Sequence, residues 1–123
     1  MSKVLLVDDE SYVTATVSAK LRRLGHETMT ACDGLEGFTL AQSFQPDLVV
    51  SDLQMPNLDG LGMAQRLAAG DVTAGTPVIL LTGRGHLIPA EELAKTRVRQ
   101  VLSKPFSIRD LVERIEQALA PAA

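Results

Sequence analysis

With 123 residues, of which 46% are hydrophobic and 22% charged, the chain has the size and composition of a single globular domain. Its formal net charge of -3 excludes the strongly basic surface of a general nucleic-acid binder, and 3% aromatic residues argue against a base-stacking platform. The one cysteine, Cys32, excludes an internal disulfide, and we expect it to be a small buried hydrophobe. The amino terminus predicts neither a signal peptide nor membrane insertion, so we expect a cytoplasmic protein.

Short apolar runs alternate along the chain with segments of helical periodicity. Lys3–Val7 predicts the first strand, and residues 10–24 predict a helix that ends before Gly25, which suits a left-handed C-terminal cap. Residues 26–31 predict a weaker strand near a sheet edge. Asp33 is placed to cap a second helix, which stops before the next proline.

The second half of the chain continues the alternation. Residues 48–51 and 77–82 are apolar runs, the second typical of a strand buried on both faces, and Val98–Ser103 predicts a fifth strand. Helices are expected between the first two of these strands, after Pro89, and from Ser107, which begins a capping-box-like pattern. Five strands alternating with five helices predict an α/β fold, a doubly wound five-stranded parallel sheet with helices on both faces.

Polar residues follow the apolar runs directly, at the strand ends where doubly wound sheets bind ligands. The set comprises Asp8 and Asp9, Asp52, Thr82 and Lys104. Each alone has an ordinary explanation, because acids favour helix N-termini, an aspartate often starts a turn and a lysine is usually solvated. Together the carboxylates repel one another, a divalent cation relieves that repulsion, and oxygen ligands with room for water suit Mg²⁺.

Asp52 stands at the centre of this set. An aspartate carboxylate is a competent nucleophile toward phosphorus and gives an acyl phosphate. Phosphoryl transfer needs positioning and charge stabilisation at the equatorial oxygens, which Mg²⁺, the Lys104 ammonium and the Thr82 hydroxyl would supply. We therefore expect Asp52 to be a phosphoacceptor, with Lys104 and Thr82 as its catalytic partners.

With these residues placed, the chain resembles the receiver domain of two-component response regulators over residues 3–119. The acidic pair, the acceptor, the threonine and Lys104-Pro105 match the family pattern, and Met55-Pro56-Asn57-Leu58-Asp59-Gly60 matches its M-P-x-x-D-G loop. The resemblance implies a CheY-like (flavodoxin-like) strand order 2-1-3-4-5 and a cis peptide before the proline. We expect a receiver domain over residues 1–120 and a tail or linker stub at 121–123, either from a single-domain regulator or cut from a longer chain.

The resemblance also implies the roles of the residues. A sensor histidine kinase or histidine phosphotransfer protein would donate the phosphoryl group to Asp52. Mg²⁺ would be bound by Asp9, Asp52 and the Gln54 backbone carbonyl, and by Asp8 largely through water. Thr82 would move toward the phosphoryl group and alter the surface of the fourth helix, fifth strand and fifth helix, which a downstream protein target would contact. We expect a monomer or weak dimer without direct nucleic-acid binding, and self-phosphorylation and self-dephosphorylation rather than enzymatic turnover.

Three features depart from the family pattern or extend it. Val101 stands where receivers often carry an aromatic partner of the threonine, which leaves open a receiver-fold interaction module that works largely without phosphorylation. Gln54 and Arg84 are expected to flank the site and to influence hydrolysis of the acyl phosphate. The segment 95–99 holds three cations, which form either a solvated strip or a docking patch for an acidic partner.

Two enzyme classes remain as alternatives. A flavodoxin-like nucleotide binder would share the sheet, but acids after the first strand would repel a phosphate, and the glycines at 83 and 85 form only a lone G-x-G. A haloacid-dehalogenase-type phosphatase also uses an aspartate and Mg²⁺. It carries a D-x-D-x-T pattern after the first strand, whereas here residue 10 is Glu10 with Ser11 behind it.

Overall fold

A computed structural model describes residues 2–83 and 88–120 of the chain. Within this part, strands and helices alternate strictly. The strands are β1 (Lys3–Val7), β2 (Glu27–Ala31), β3 (Leu48–Asp52), β4 (Val78–Thr82) and β5 (Val98–Ser103). The helices are α1 (Ser11–Arg23), α2 (Gly34–Phe44), α3 (Gly60–Ala69), α4 (Ala90–Leu93) and α5 (Ile108–Leu119). All strand pairs are parallel in the order β2-β1-β3-β4-β5, which confirms the predicted sheet.

The sheet has an apolar cluster on each face because successive side chains of a strand point to opposite sides. Leu5 and Val49 lie on one face, with Met63 of α3. Leu6 and Val50 lie on the other, with Val17, Leu111 and Ile115 of α1 and α5. β3 and β4 are buried along their whole length, so the central strands are fixed from both sides.

Three helix ends follow the sequence signals that predicted them. Gly25 has φ +94°, and its N–H donates to Arg22 O while the His26 N–H donates to Leu21 O, which closes α1 in a Schellman motif. Asp33 accepts from the Glu36 N–H at 2.8 Å and caps α2. Ser107 accepts from the Asp110 N–H at 3.0 Å and caps α5.

The prediction for Cys32 was wrong, because this residue is exposed rather than buried. It lies in the loop between the edge strand β2 and α2, directly after the last residue of the strand. α4 is a single turn, and Pro89 is its N-cap rather than part of its first turn. Arg84 and the 121–123 stub lie outside the described residues. Among the helices of residues 2–83 and 88–120, none is both long and apolar enough to cross a membrane.

Candidate functional site

The parallel register brings the predicted polar residues to one edge of the sheet. Val7 pairs with Ser51, so the residues that follow them, Asp8 and Asp52, emerge at the same level. Asp52 in turn pairs with Leu81, immediately before Thr82. All of these positions lie at the carboxyl ends of their strands, as predicted from the sequence.

The acidic residues form a compact cluster. Asp8, Asp9 and Asp52 each place one carboxylate oxygen within 4.8 Å of the others. Asp8 and Asp52 are buried, whereas Asp9 is exposed. Burial raises the pKa of Asp8 to about 6, and the Asp52 charge adds to the rise, although the Glu10 N–H donates to the Asp8 carboxylate at 2.9 Å and opposes it. The charged form of Asp8 is therefore disfavoured in the folded protein, and a bound cation would favour it.

Lys104 faces this cluster. Its Nζ lies 3.1 Å from Asp52 Oδ1. Burial alone would lower the pKa of Lys104, but the hydrogen bond and charge of Asp52 outweigh it and the pKa is raised. The Lys104 N–H donates to Thr82 O at 2.8 Å, and the Lys104–Pro105 peptide is cis, as the family resemblance implied. The hydrogen bond to the last residue of β4 thus positions the backbone of Lys104.

Thr82 is the last residue of β4 and is almost completely buried. Gly83 follows it, and a Cβ built on Gly83 would meet no atom of residues 2–83 and 88–120 within 4 Å. The structure therefore places the threonine at the predicted edge of the sheet. Gln54 is exposed in the loop directly after Leu53.

Gly60 belongs to the site, but the sequence did not show why glycine is needed at this position. A Cβ built on Gly60 would lie 2.3 Å from the backbone oxygen of Asp52, so only glycine allows α3 to begin this close to the acceptor strand. The Gly60 N–H donates to Leu53 O at 2.8 Å. The final glycine of the M-P-x-x-D-G match was the available signal.

A second feature that the sequence did not predict joins two loops at this edge. The Asn57 side-chain Nδ2 donates to Asp33 Oδ2 at 2.7 Å, although 24 positions separate the residues. Asp33 was predicted only as a helix cap. No local pattern predicts a contact between side chains on different loops.

The donor set fits a divalent cation. Three carboxylates and one ammonium sum to a formal charge of -2 at neutral pH among the described residues of the cluster. Hard oxygen donors of this kind suit Mg²⁺, which keeps several water ligands and prefers one or two carboxylates. A cation would also lower the pKa of Asp8, because its charge would oppose the rise caused by burial and by the Asp52 charge.

Comparison with known proteins identifies the family. The family model for the response regulator receiver domain matches residues 4–116. The chain belongs to the response regulator receiver domain family. It is thus a receiver domain of two-component systems and not a conventional turnover enzyme. This family assignment argues against the nucleotide-binder and phosphatase alternatives.

Individual relatives agree with this assignment. The chain is 33% identical over 119 residues to the DNA-binding dual master transcriptional regulator RpaA of Synechocystis sp., covering 97% of this chain and 49% of the relative. The chain therefore spans about half the length of that curated relative. The structure of the chemotaxis response regulator CheY4 of Vibrio cholerae has a TM-score of 0.85 at 30% identity, covering 97% and 99% of the two chains.

A third relative is the receiver domain of the sensor histidine kinase PA1611 from Pseudomonas aeruginosa. Its TM-score is 0.78 at 28% identity, with 94% of each chain covered. That structure has a magnesium ion coordinated in the active-site cleft.

Proposed function

We propose that this receiver domain accepts a phosphoryl group on Asp52 from a histidine kinase or histidine phosphotransfer protein. One observation supports the proposal above the others. Asp52 is buried at the carboxyl edge, 3.1 Å from Lys104 Nζ and within 4.8 Å of the Asp8 and Asp9 carboxylates. A buried carboxylate between a cation and two further acids suits a nucleophile more than a structural ion pair.

The chemistry follows from these positions. A carboxylate oxygen of Asp52 attacks the phosphorus of a phosphohistidine, the P–N bond breaks, and the imidazole leaves with the bonding electron pair and takes up a proton. Lys104 moves its ammonium from the carboxylate to a phosphoryl oxygen, and the Thr82 hydroxyl donates to another. Asp8, Asp9, Asp52 and the Gln54 carbonyl would hold Mg²⁺, which supplies compensation for the phosphoryl charge when bound.

Output would occur through protein contacts on the face formed by α4, β5 and α5. Val101 and Arg99 of β5 are exposed on this side, so a partner has direct access to the strand. We infer a downstream protein target, no direct nucleic-acid contact by this domain, a monomer or weak dimer, and a cytoplasmic location. RpaA supports coupling of such a receiver to a DNA-binding regulator, since the chain matches about half of it.

A second candidate function is an interaction module that works largely without phosphorylation. Val101, 38% exposed, favours it because valine lacks the ring that reports threonine movement in many receivers. The intact acidic cluster and its lysine argue against it.

Intact-mass spectrometry tests the proposal. The protein is incubated with Mg²⁺ and acetyl phosphate beside Asp52→Asn and, as a matched control, Asp71→Asn, which changes an exposed aspartate outside the acidic cluster. Wild type and Asp71→Asn should each gain one phosphoryl group, the gain should vanish with EDTA, and Asp52→Asn should gain none. Equal phosphorylation of Asp52→Asn would reject Asp52 as the acceptor. No gain in wild type with either acetyl phosphate or a phosphohistidine donor would favour the interaction module.

A further inference from the structure

The loop between Asp52 and α3 is fixed at its base. The Leu53 N–H donates to Leu81 O at 2.8 Å, and the Gly60 N–H donates to Leu53 O at 2.8 Å. Asp59 caps α3 by accepting from the Gly62 N–H at 2.7 Å. Residues 54–58 form the part of the loop between these anchors.

The outer part of the same loop is held by the start of α2. The Asn57 amide donates to Asp33 Oδ2 at 2.7 Å, and the Gly34 N–H donates to Leu58 O at 3.0 Å. The other carboxylate oxygen of Asp33 accepts from the Glu36 N–H at 2.8 Å. One carboxylate therefore fixes the helix start and the loop together.

The residue types at the contact between the start of α2 and the loop before α3 allow the two backbones to approach closely. A Cβ on Gly34 would lie 2.2 Å from Leu58 O, so the backbones meet only because residue 34 is glycine. Asn57 has φ +69°, a left-handed conformation that asparagine and aspartate adopt more readily than other side chains. The hydrogen bonds of Asp33 to the Glu36 N–H and to Asn57 both favour its charged form and lower its pKa.

We propose that Asp33 is a positioning residue for metal binding, acting through Asn57 on the loop that carries the Gln54 carbonyl. The inference rests on the proposed function, in which that carbonyl is a metal ligand. A side-chain ligand can adjust by rotation, whereas a backbone carbonyl is placed only by the loop that contains it. Holding the loop at its outer part therefore preorganises one ligand and leaves the carboxylates unchanged.

The expected effect is on affinity rather than on the reaction step. Loss of a partner that orients a metal ligand typically weakens metal affinity about 10- to 100-fold, and we expect about 3- to 10-fold here because the loop keeps its base anchors. At saturating Mg²⁺ the carbonyl is drawn into place, so phosphorylation by acetyl phosphate should return to within about twofold of wild type.

Four variants isolate the hydrogen bond. Asp33→Asn keeps an oxygen to cap α2 but presents an amide to the Asn57 amide. Asn57→Gly removes the side chain and keeps the left-handed backbone accessible. The double variant Asp33→Asn with Asn57→Asp restores a donor–acceptor pair with the roles exchanged and the total charge unchanged. Asp71→Asn controls for loss of one negative charge at an exposed position.

Calorimetric titration with Mg²⁺ gives the dissociation constant for each protein. The inference expects weaker binding for Asp33→Asn and Asn57→Gly, recovery in the double variant, and wild-type affinity for Asp71→Asn. Wild-type affinity in both single variants, or a double variant as weak as Asp33→Asn, would overturn it while leaving the phosphoacceptor proposal intact. If wild type bound no Mg²⁺ and gained no phosphoryl group, the proposed function would fail and this inference with it.

Discussion

Lys104 Nζ lies 3.1 Å from Asp52 Oδ1, so the lysine after β5 contacts the proposed acceptor before any phosphoryl group arrives. The contact joins residues from two strands that are not neighbours, since β4 lies between β3 and β5. Asp8 and Asp9 share the cluster, and the field of Lys104 lowers the pKa of Asp8 against the larger effect of burial. One ammonium therefore partly compensates several carboxylates.

Replacing Lys104 by methionine should slow phosphoryl acceptance from acetyl phosphate. A charge-assisted hydrogen bond contributes about 1.5–3 kcal/mol, which corresponds to a rate about 10- to 100-fold lower if the bond forms with the transferring group. Initial rates of mass gain at fixed Mg²⁺ measure this. Lys95→Met is the control, because the Lys95 side chain is 66% exposed and forms an ion pair with Glu92, three residues earlier in the chain. A Lys104→Met rate within twofold of wild type would contradict the assigned role.

Replacing Asp8 by asparagine should stabilise the metal-free protein at pH 7. Burial raises the folded-state pKa of Asp8 to about 6, so this group favours folding below the unfolded-state pKa near 4 and loses that contribution as pH rises through about 6. Asp8→Asn should therefore gain about 1–3 kcal/mol at pH 7 in EDTA, and the difference should shrink toward pH 4. Urea unfolding between pH 4 and 8 measures it, with Asp71→Asn for comparison. Lower stability of Asp8→Asn at pH 7 would show that the charged form is favoured.

Mg²⁺ should stabilise the wild-type protein through the same cluster. A ligand that binds only the folded state at ten times its dissociation constant adds about 1.4 kcal/mol to the free energy of unfolding. Asp9→Asn should lose most of this gain, and because Asp9 is exposed it should unfold within about 0.5 kcal/mol of wild type in EDTA. Thermal unfolding with and without Mg²⁺ checks both points. An undiminished Mg²⁺ effect in Asp9→Asn would remove Asp9 from the ligand set.

The sheet was predictable from the sequence because its signals are local. Apolar runs such as residues 77–82 fix the strands, helical periodicity fixes the crossovers, and right-handed crossovers leave few arrangements. The acidic cluster could also be predicted from the sequence, because the carboxyl ends of parallel strands meet at one edge of the sheet. Asp8, Asp52 and Lys104 could therefore be placed together although they are far apart in the chain.

The features that escaped prediction depend on how separate loops pack. Cys32 was expected in the core because a lone thiol is most often a small hydrophobe, but the residue lies in the loop between β2 and α2 and is exposed. The contact between Asp33 and Asn57 requires the relative placement of α2 and the loop before α3, which no periodicity encodes. The need for glycine at position 60 is likewise visible only once the Asp52 carbonyl is in place.

Replacing Gly60 by alanine should therefore disturb the acceptor strand directly. The added Cβ would lie 2.3 Å from Asp52 O and 3.0 Å from a Leu80 side-chain carbon, and the first of these atoms is backbone that cannot rotate away. We expect a loss of about 1–3 kcal/mol in urea unfolding and slower phosphoryl acceptance, because relief of the clash must move Asp52 or α3. Gly75→Ala is the matched control, since its Cβ would meet no atom of the described part of the chain within 4 Å, and it should stay within about 0.5 kcal/mol of wild type. If both alanine variants unfolded at the same urea concentration and accepted phosphate equally fast, α3 would have to yield freely, and the close approach of Gly60 would not be what positions Asp52.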